Sequence, residues 1–164
     1  MSRRILFYWS GLSCPHAVFM FSVLLAGIVH SHSGAEGIVK ERMDAMTDMG
    51  EKSKLVADMF KGRSEFDRNA VADAADAFVS HGARMAELFP DTKESRTGSN
   101  TDALPRIWEE WDEFKQYIIE FTEHSESLKN TVSTSEDITQ LEKAFSRAVR
   151  DCSGCHKRFR KPKR

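Results

Sequence analysis

Residues 135–164 read Ser-Glu-Asp-Ile-Thr-Gln-Leu-Glu-Lys-Ala-Phe-Ser-Arg-Ala-Val-Arg-Asp-Cys-Ser-Gly-Cys-His-Lys-Arg-Phe-Arg-Lys-Pro-Lys-Arg. Within them Ile138, Leu141, Phe145, Ala148, Val149, Cys152 and Phe159 recur at the three- and four-residue spacing of one helix face. Ser135, Glu136 and Asp137 form a helix start, since a hydroxyl can cap orphan N–H groups and acids favour the first turn. Three upstream stretches repeat the pattern. Val39, Met43, Met46, Ser53, Ala57 and Phe60 lie near one stripe, with Met49 and Val56 beside it, and Gly62 supplies a stop. A second stripe runs from about Asp67 to Leu88 through Val71, Ala74, Phe78 and Met85, and Pro90 ends it. The third opens near Pro105 and passes through Ile107, Trp111, Phe114, Ile118, Phe121 and Leu128 before breaking at residues 131–134. Residues 91–103, with Thr92, Ser95, Gly98, Ser99 and Asn100, read as an exposed loop. No stretch alternates with period two for long enough to make a strand. The expected fold is all-α, an antiparallel four-helix bundle.

A chain of 164 residues allows one domain. Its 24 basic against 25 acidic residues lack the positive excess of a nucleic-acid binder, and a nucleic-acid partner is not expected. Ahead of the helices, Met1-Ser2-Arg3-Arg4 is followed by an apolar run densest over residues 17–29, and no acid precedes Glu36. With Ser33-Gly34-Ala35 as the cleavage site, this is the pattern of a secretory signal peptide over residues 1–35. The dense run falls short of the roughly 20 residues of a permanent span. An uncleaved anchor is the alternative, because the leader is long and Pro15 and His16 interrupt it. The expected domain is then 36–164, and export from a Gram-negative cell places it in the periplasm. Cys14 leaves with the leader, so only Cys152 and Cys155 remain.

Those two cysteines belong to Cys152-Ser153-Gly154-Cys155-His156, and Cys-x-x-Cys-His is the attachment motif of c-type haem. Two thiols one helical turn apart can each form a thioether to the same porphyrin edge, and His156 can turn its imidazole to the iron. The competing readings are a redox dithiol, half of a zinc site or two core cysteines. A dithiol site begins a helix after a strand, whereas this motif ends a helix in a chain without strands. A zinc site needs a second ligand pair at useful spacing, and the sequence has none. One covalent haem c per chain is expected.

The mature chain resembles the cytochrome c prime family of exported four-helix-bundle cytochromes. The resemblance rests on Arg42 with Met46 and Met49, Phe60-Lys61-Gly62, Leu88-Phe89-Pro90, Leu104-Pro105-Arg106-Ile107-Trp108 and the run from Cys152 to Arg160. It implies a haem lying between the helices, His156 ligating iron from the last helix and the first helix against the other face. Many members leave iron five-coordinate behind an apolar residue; a related branch inserts a methionine sulfur and becomes a low-spin electron carrier. Met46 stands where the family places its blocking residue, and Met49 precedes Gly50 as in the methionine-ligated branch. Either sulfur is a candidate ligand, and core filling is the plainer role for both. The resemblance makes Arg42 a haem-propionate partner. Arg160, four residues after His156, shares its face and is a haem-pocket or helix-capping residue. Phe159 and Phe60 are expected to pack against the ring, and Trp108 and Trp111 to pack in the core or an interface. His81 reads as a poor iron ligand, and His124 as part of a solvated face.

Two functions follow. The first is one-electron transfer to redox partner proteins, placed first because the methionine pair leans toward the low-spin branch. The alternative is a five-coordinate haem protein that binds nitric oxide or carbon monoxide. Enzymatic peroxide cleavage is weaker, because the first helix offers mainly sulfur and hydrocarbon where a polar group is needed. The basic run 157–164 could complement propionates or steer an acidic partner. The assembly is a monomer or a homodimer: family members often pair through the first two helices, while Asp73 and Asp76 could equally mark solvent.

Overall fold

Side chains cap the starts of three helices in this chain, and a glycine ends the first. The computed structural model describes residues 35–162; residues 1–34, nearly all of the expected leader, lie outside them. Helix α1 spans Gly37–Phe60 and ends at Gly62, whose φ of +67° suits a residue without a Cβ and whose N–H reaches Met59 O. Helix α2 spans Arg68–Arg84, its first turn capped by the Asp67 carboxylate on Asn69 N, and a 3₁₀ turn carries it on through Met85–Leu88. Two short helices follow, α3 at Lys93–Thr97 and α4 at Arg106–Glu109. The long α5 covers Trp111–Thr134 and α6 covers Ile138–Phe159. Asp137, rather than Ser135, caps α6 by accepting from Thr139 N, and Ser135 Oγ in turn accepts from Asp137 N.

Four long helices therefore form the expected all-α bundle. Helix α5 packs against α2 and α6, and α1 packs against α2. Helices α1 and α6 meet through side chains, Phe60 against Phe145, rather than by close backbone approach. Val56, Val71, Phe78, Leu128 and Leu141 are fully buried or nearly so. No helix among the described residues is long and apolar enough to cross a membrane.

Two local features differ from the sequence reading. The third helix is kinked at Glu110, where φ is −120° and ψ 46°, with backbone hydrogen bonds on either side of the kink, from Glu110 N to Arg106 O and from Phe114 N to Glu110 O. Glu110 there accepts from Arg158 of α6, and the Trp108 indole donates to Phe89 O. The segment 91–103 is not simply exposed. Thr92 caps α3 through Ser95 N, and Ser95 is completely buried beneath Arg42. Asp73 and Asp76 lie on the exposed side of α2, and Asp76 pairs with Lys129 of α5 in the same chain.

The α2–α5 crossing depends on Gly82. A Cβ at this position would lie 2.7 Å from Thr122 Oγ1 and 3.4 Å from the Phe121 ring. Gly82→Leu should therefore lower unfolding stability by about 1–3 kcal/mol through overpacking, read as a shifted urea midpoint. An unchanged midpoint would mean that the helices can separate there without cost.

Candidate haem site

The apolar stripe of α6 continues unbroken into the motif, so the side chains that build the core upstream face a cavity downstream. Cys152, Cys155 and His156 all line this cavity, together with Phe159 and Arg160. Helix α5 contributes Phe114, Tyr117 and Phe121, and α1 contributes Val39, Met43, Met46, Met49 and Gly50. The volume is about 440 Å³, within the usual range for a cofactor pocket. It occupies the gap that α1 and α6 leave between their backbones.

The two cysteines are separate thiols. Burial pushes Cys152 up to about 11 and Cys155 up to about 12, so both are protonated at neutral pH. A redox dithiol requires the opposite shift. Among the described residues no cluster of His, Cys, Asp or Glu could hold a metal ion by itself. Gly154, between the cysteines, lets Tyr117 approach: a Cβ there would stand 3.2 Å from Tyr117 Cε1. Phe159 is fixed by edge-on contacts with Phe114 and Tyr117.

Arg42 is buried on the same rim. Its Nε donates to Leu88 O at 3.0 Å, Nη1 to Thr101 Oγ1 at 3.1 Å and Nη2 to Ser95 Oγ at 2.6 Å. Longer contacts of 3.4 Å run from both terminal nitrogens to Ser95 O. The guanidinium also lies 4.0 Å above the Phe89 ring. Desolvation lowers its pKa to about 10, which leaves it charged at pH 7. Among the described residues no carboxylate pairs with it. A propionate contact of the kind expected from the sequence would have to share donors that Leu88, Ser95 and Thr101 already hold. Arg160 differs: its Nε is buried at the cavity edge without a hydrogen-bond partner.

The other expected positions divide. Met46 and Met49 both line the cavity; Met49 belongs to the core and Met46 packs against it. Phe60 does not line it and instead packs with Phe66 and Phe145. His81 bonds Asp48 of α1 at 2.8 Å. His124 is not simply solvated: its Nδ1 meets Asp151 of α6 at 2.7 Å, and Asp151 is itself a cavity-lining residue. Asp151, Thr101 and Tyr117 were not singled out by the sequence. Arg42 on the stripe of Val39, Met46 and Met49, a cation where hydrocarbon is expected, was the one signal that a polar rim lay there.

The residues present fit a haem. Two protonated thiols and an imidazole line one largely apolar space, and two cationic side chains without carboxylate partners stand at its edge, where a porphyrin carries its own carboxylates. A family model described as Cytochrome C' matches residues 37–160. The chain belongs to the cytochrome c' family. It is 29% identical over 143 residues to cytochrome c' of Rhodopseudomonas palustris, covering 85% of this chain and 94% of that one. It is 28% identical over 144 residues to cytochrome c-556 of Agrobacterium fabrum, covering 88% and 92%. A solved structure of the Rhodopseudomonas palustris cytochrome c' superposes with a TM-score of 0.71 at 28% identity, over 79% of this chain and 99% of that one. Membership makes the protein a c-type haem protein of an electron-carrying family rather than an enzyme.

Arg42→Met should cost more than about 2 kcal/mol, because it strands buried acceptors on Leu88, Ser95 and Thr101. It should also speed proteolytic cleavage within residues 91–103, read by mass spectrometry of limited digests. Cleavage at the native rate would remove Arg42 as the anchor of that segment.

Proposed function

We propose that this cavity holds one haem c, thioether-linked through Cys152 and Cys155 with iron ligated by His156, and that its α1 side is left for a diatomic gas. Nitric oxide and carbon monoxide are the candidates. When bound, the haem supplies a one-electron couple and a coordination position for a neutral diatomic. The chemistry of the α1 wall carries the reading. Val39, Met43, Met46 and Met49 present hydrocarbon and thioether; Thr47 is the one hydroxyl from α1, and the donors of Arg42 are occupied. Such a wall excludes water and anions, admits a small neutral molecule and provides no proton donor for peroxide cleavage.

Helix α1 is also pinned. Arg42 ties it to Leu88, Ser95 and Thr101, so a sulfur on α1 can approach the iron by side-chain rotation and not by a shift of the helix. Met49 is 7% exposed within the core, where its side chain fills space. The relative named cytochrome c' adds weight, because the resemblance gives five-coordinate iron to many such proteins. The placement of Met46 and Met49 on the cavity wall favours a second reading, a methionine-ligated carrier. Residues 1–35, with their basic start and apolar run, support export to the periplasm.

The purified protein should weigh one haem more than its polypeptide, and acid–acetone should fail to extract the pigment. Release of intact pigment would remove the thioether assignment. The ferric form should be high-spin without a sulfur-to-iron charge-transfer band, and the ferrous form should bind carbon monoxide rapidly. Met46→Ala should leave the spin state unchanged and accelerate that binding. A low-spin ferric protein that turns high-spin on Met46→Ala or Met49→Ala would establish the methionine-ligated carrier instead.

A further inference from the structure

We propose that the outer face of α6 is a docking surface for an acidic partner protein that exchanges electrons with this one. The proposal rests on membership of an electron-carrying family and not on which ligand faces α1. Lys143, Arg147, Arg150 and Lys157 follow one another at spacings of four, three and seven, which puts them on one side of α6, away from Leu141, Ala148 and Cys152. Among the described residues none of these four cations has a carboxylate within ion-pair distance. Lys40, Lys54, Lys115 and Lys129, exposed on the other long helices, are each paired, with Asp44, Asp58, Asp112 and Asp76.

The separation extends over the whole described chain. Residues 138–162 hold seven basic and two acidic side chains, while residues 35–137 hold thirteen and twenty-three. Such a molecule presents a positive face in an otherwise negative field and orients an acidic partner before contact. The stripe is interleaved with Ser146 and Ser153 and bordered by Glu142 rather than by large apolar groups, so it lacks the inserting side chains of a membrane-surface helix. The opposite side of the same helix carries Cys152 and His156, one helix diameter of about 10–12 Å away. A partner docked there gives up one electron as one ferric iron is reduced, with no proton transferred.

The test uses the ferric holoprotein and a reduced acidic flavodoxin as the probe. The triple variant Lys143→Glu, Arg147→Glu, Arg150→Glu should slow the electron transfer at least tenfold at low ionic strength, and the difference should vanish at high salt. A control triple of the same charge change, Lys40→Glu, Lys54→Glu, Lys115→Glu, should slow it less than threefold. Equal slowing by both triples would reduce the effect to net charge and overturn the proposal, as would an unaffected rate in the α6 triple. Vesicles of phosphatidylglycerol that bind the native protein and not the α6 triple, with the flavodoxin rate unchanged, would assign the stripe to lipid instead. The native haem spectrum of each variant separates these outcomes from loss of the site. Should the α6 triple lose haem, the neutral pair Lys143→Gln, Arg150→Gln carries the same comparison, with an expected slowing of about threefold.

Discussion

Two thiols and an imidazole within the last turns of α6 must face a space wide enough for a flat ring, yet the same stripe upstream must be packed solid. The bundle meets both demands by being closed at one end and open at the other. Phe60, Phe66 and Phe145 fill the closed end, beside the fully buried Leu128 and Leu141. At the open end Phe89, Phe114 and Phe159 stand edge-on to one another and line the gap between α1 and α6 instead of filling it. Interiors of proteins are packed close to crystal density, so a space of this size between apolar walls has to be held open by rigid neighbours or by an occupant.

The rim of the cavity is drawn from three distant parts of the chain. Arg42 holds Leu88, Ser95 and Thr101 from α1. The chain after α6 holds the same segment from the other side: Leu104 N donates to Phe159 O and Lys161 N to Asp102 O. The Lys161 ammonium adds a bond to Thr101 O. A buried guanidinium without a carboxylate partner is costly, and its neutral acceptors offset only part of the desolvation. An anionic group at the cavity edge would complete the compensation, which makes the same residue both an anchor of the rim and a source of positive potential for whatever the cavity holds.

The long helices were legible because apolar residues at helical spacing have to share a face whatever they pack against. The motif at residues 152–156 was legible because its chemistry is local, all of it within two turns. What depended on distant partners was not. Ser95 reads as a loop residue until Arg42, fifty-three positions earlier, takes its hydroxyl and buries it. The same holds for His124, whose acidic neighbours Glu120 and Glu123 suggest solvent but whose ring meets Asp151 across the α5–α6 interface. The kink at Glu110 has no proline or glycine to announce it; the residue's carboxylate is engaged by Arg158 from another helix. Phe60 was placed near the ring because its neighbours resemble a family motif, while its packing partners put it at the closed end.

The basic residues of α6 have two different causes, and helix electrostatics separates them. Lys157 and Arg158 sit in the last turn, with Arg160 capping it, where the negative end of the helix dipole favours cations. Arg158 is further tied to Glu110 and Glu113. The helix end accounts for these positions, although Lys157 also continues the exposed row of Lys143, Arg147 and Arg150. Lys143 lies in the second turn, toward the end where the dipole opposes positive charge, and Arg147 and Arg150 lie mid-helix, where it gives nothing. They are spaced so that each repels the next, and none has a carboxylate within ion-pair distance among the described residues. Neither fold nor helix end accounts for that arrangement, and a solvated face would be as stable with mixed charges of the kind α1 carries. What the arrangement supplies is a net positive field, with Glu142 the one acid in the groove it shares with Lys143, Arg147 and Arg150, on the outer side of the helix whose inner side carries the haem motif.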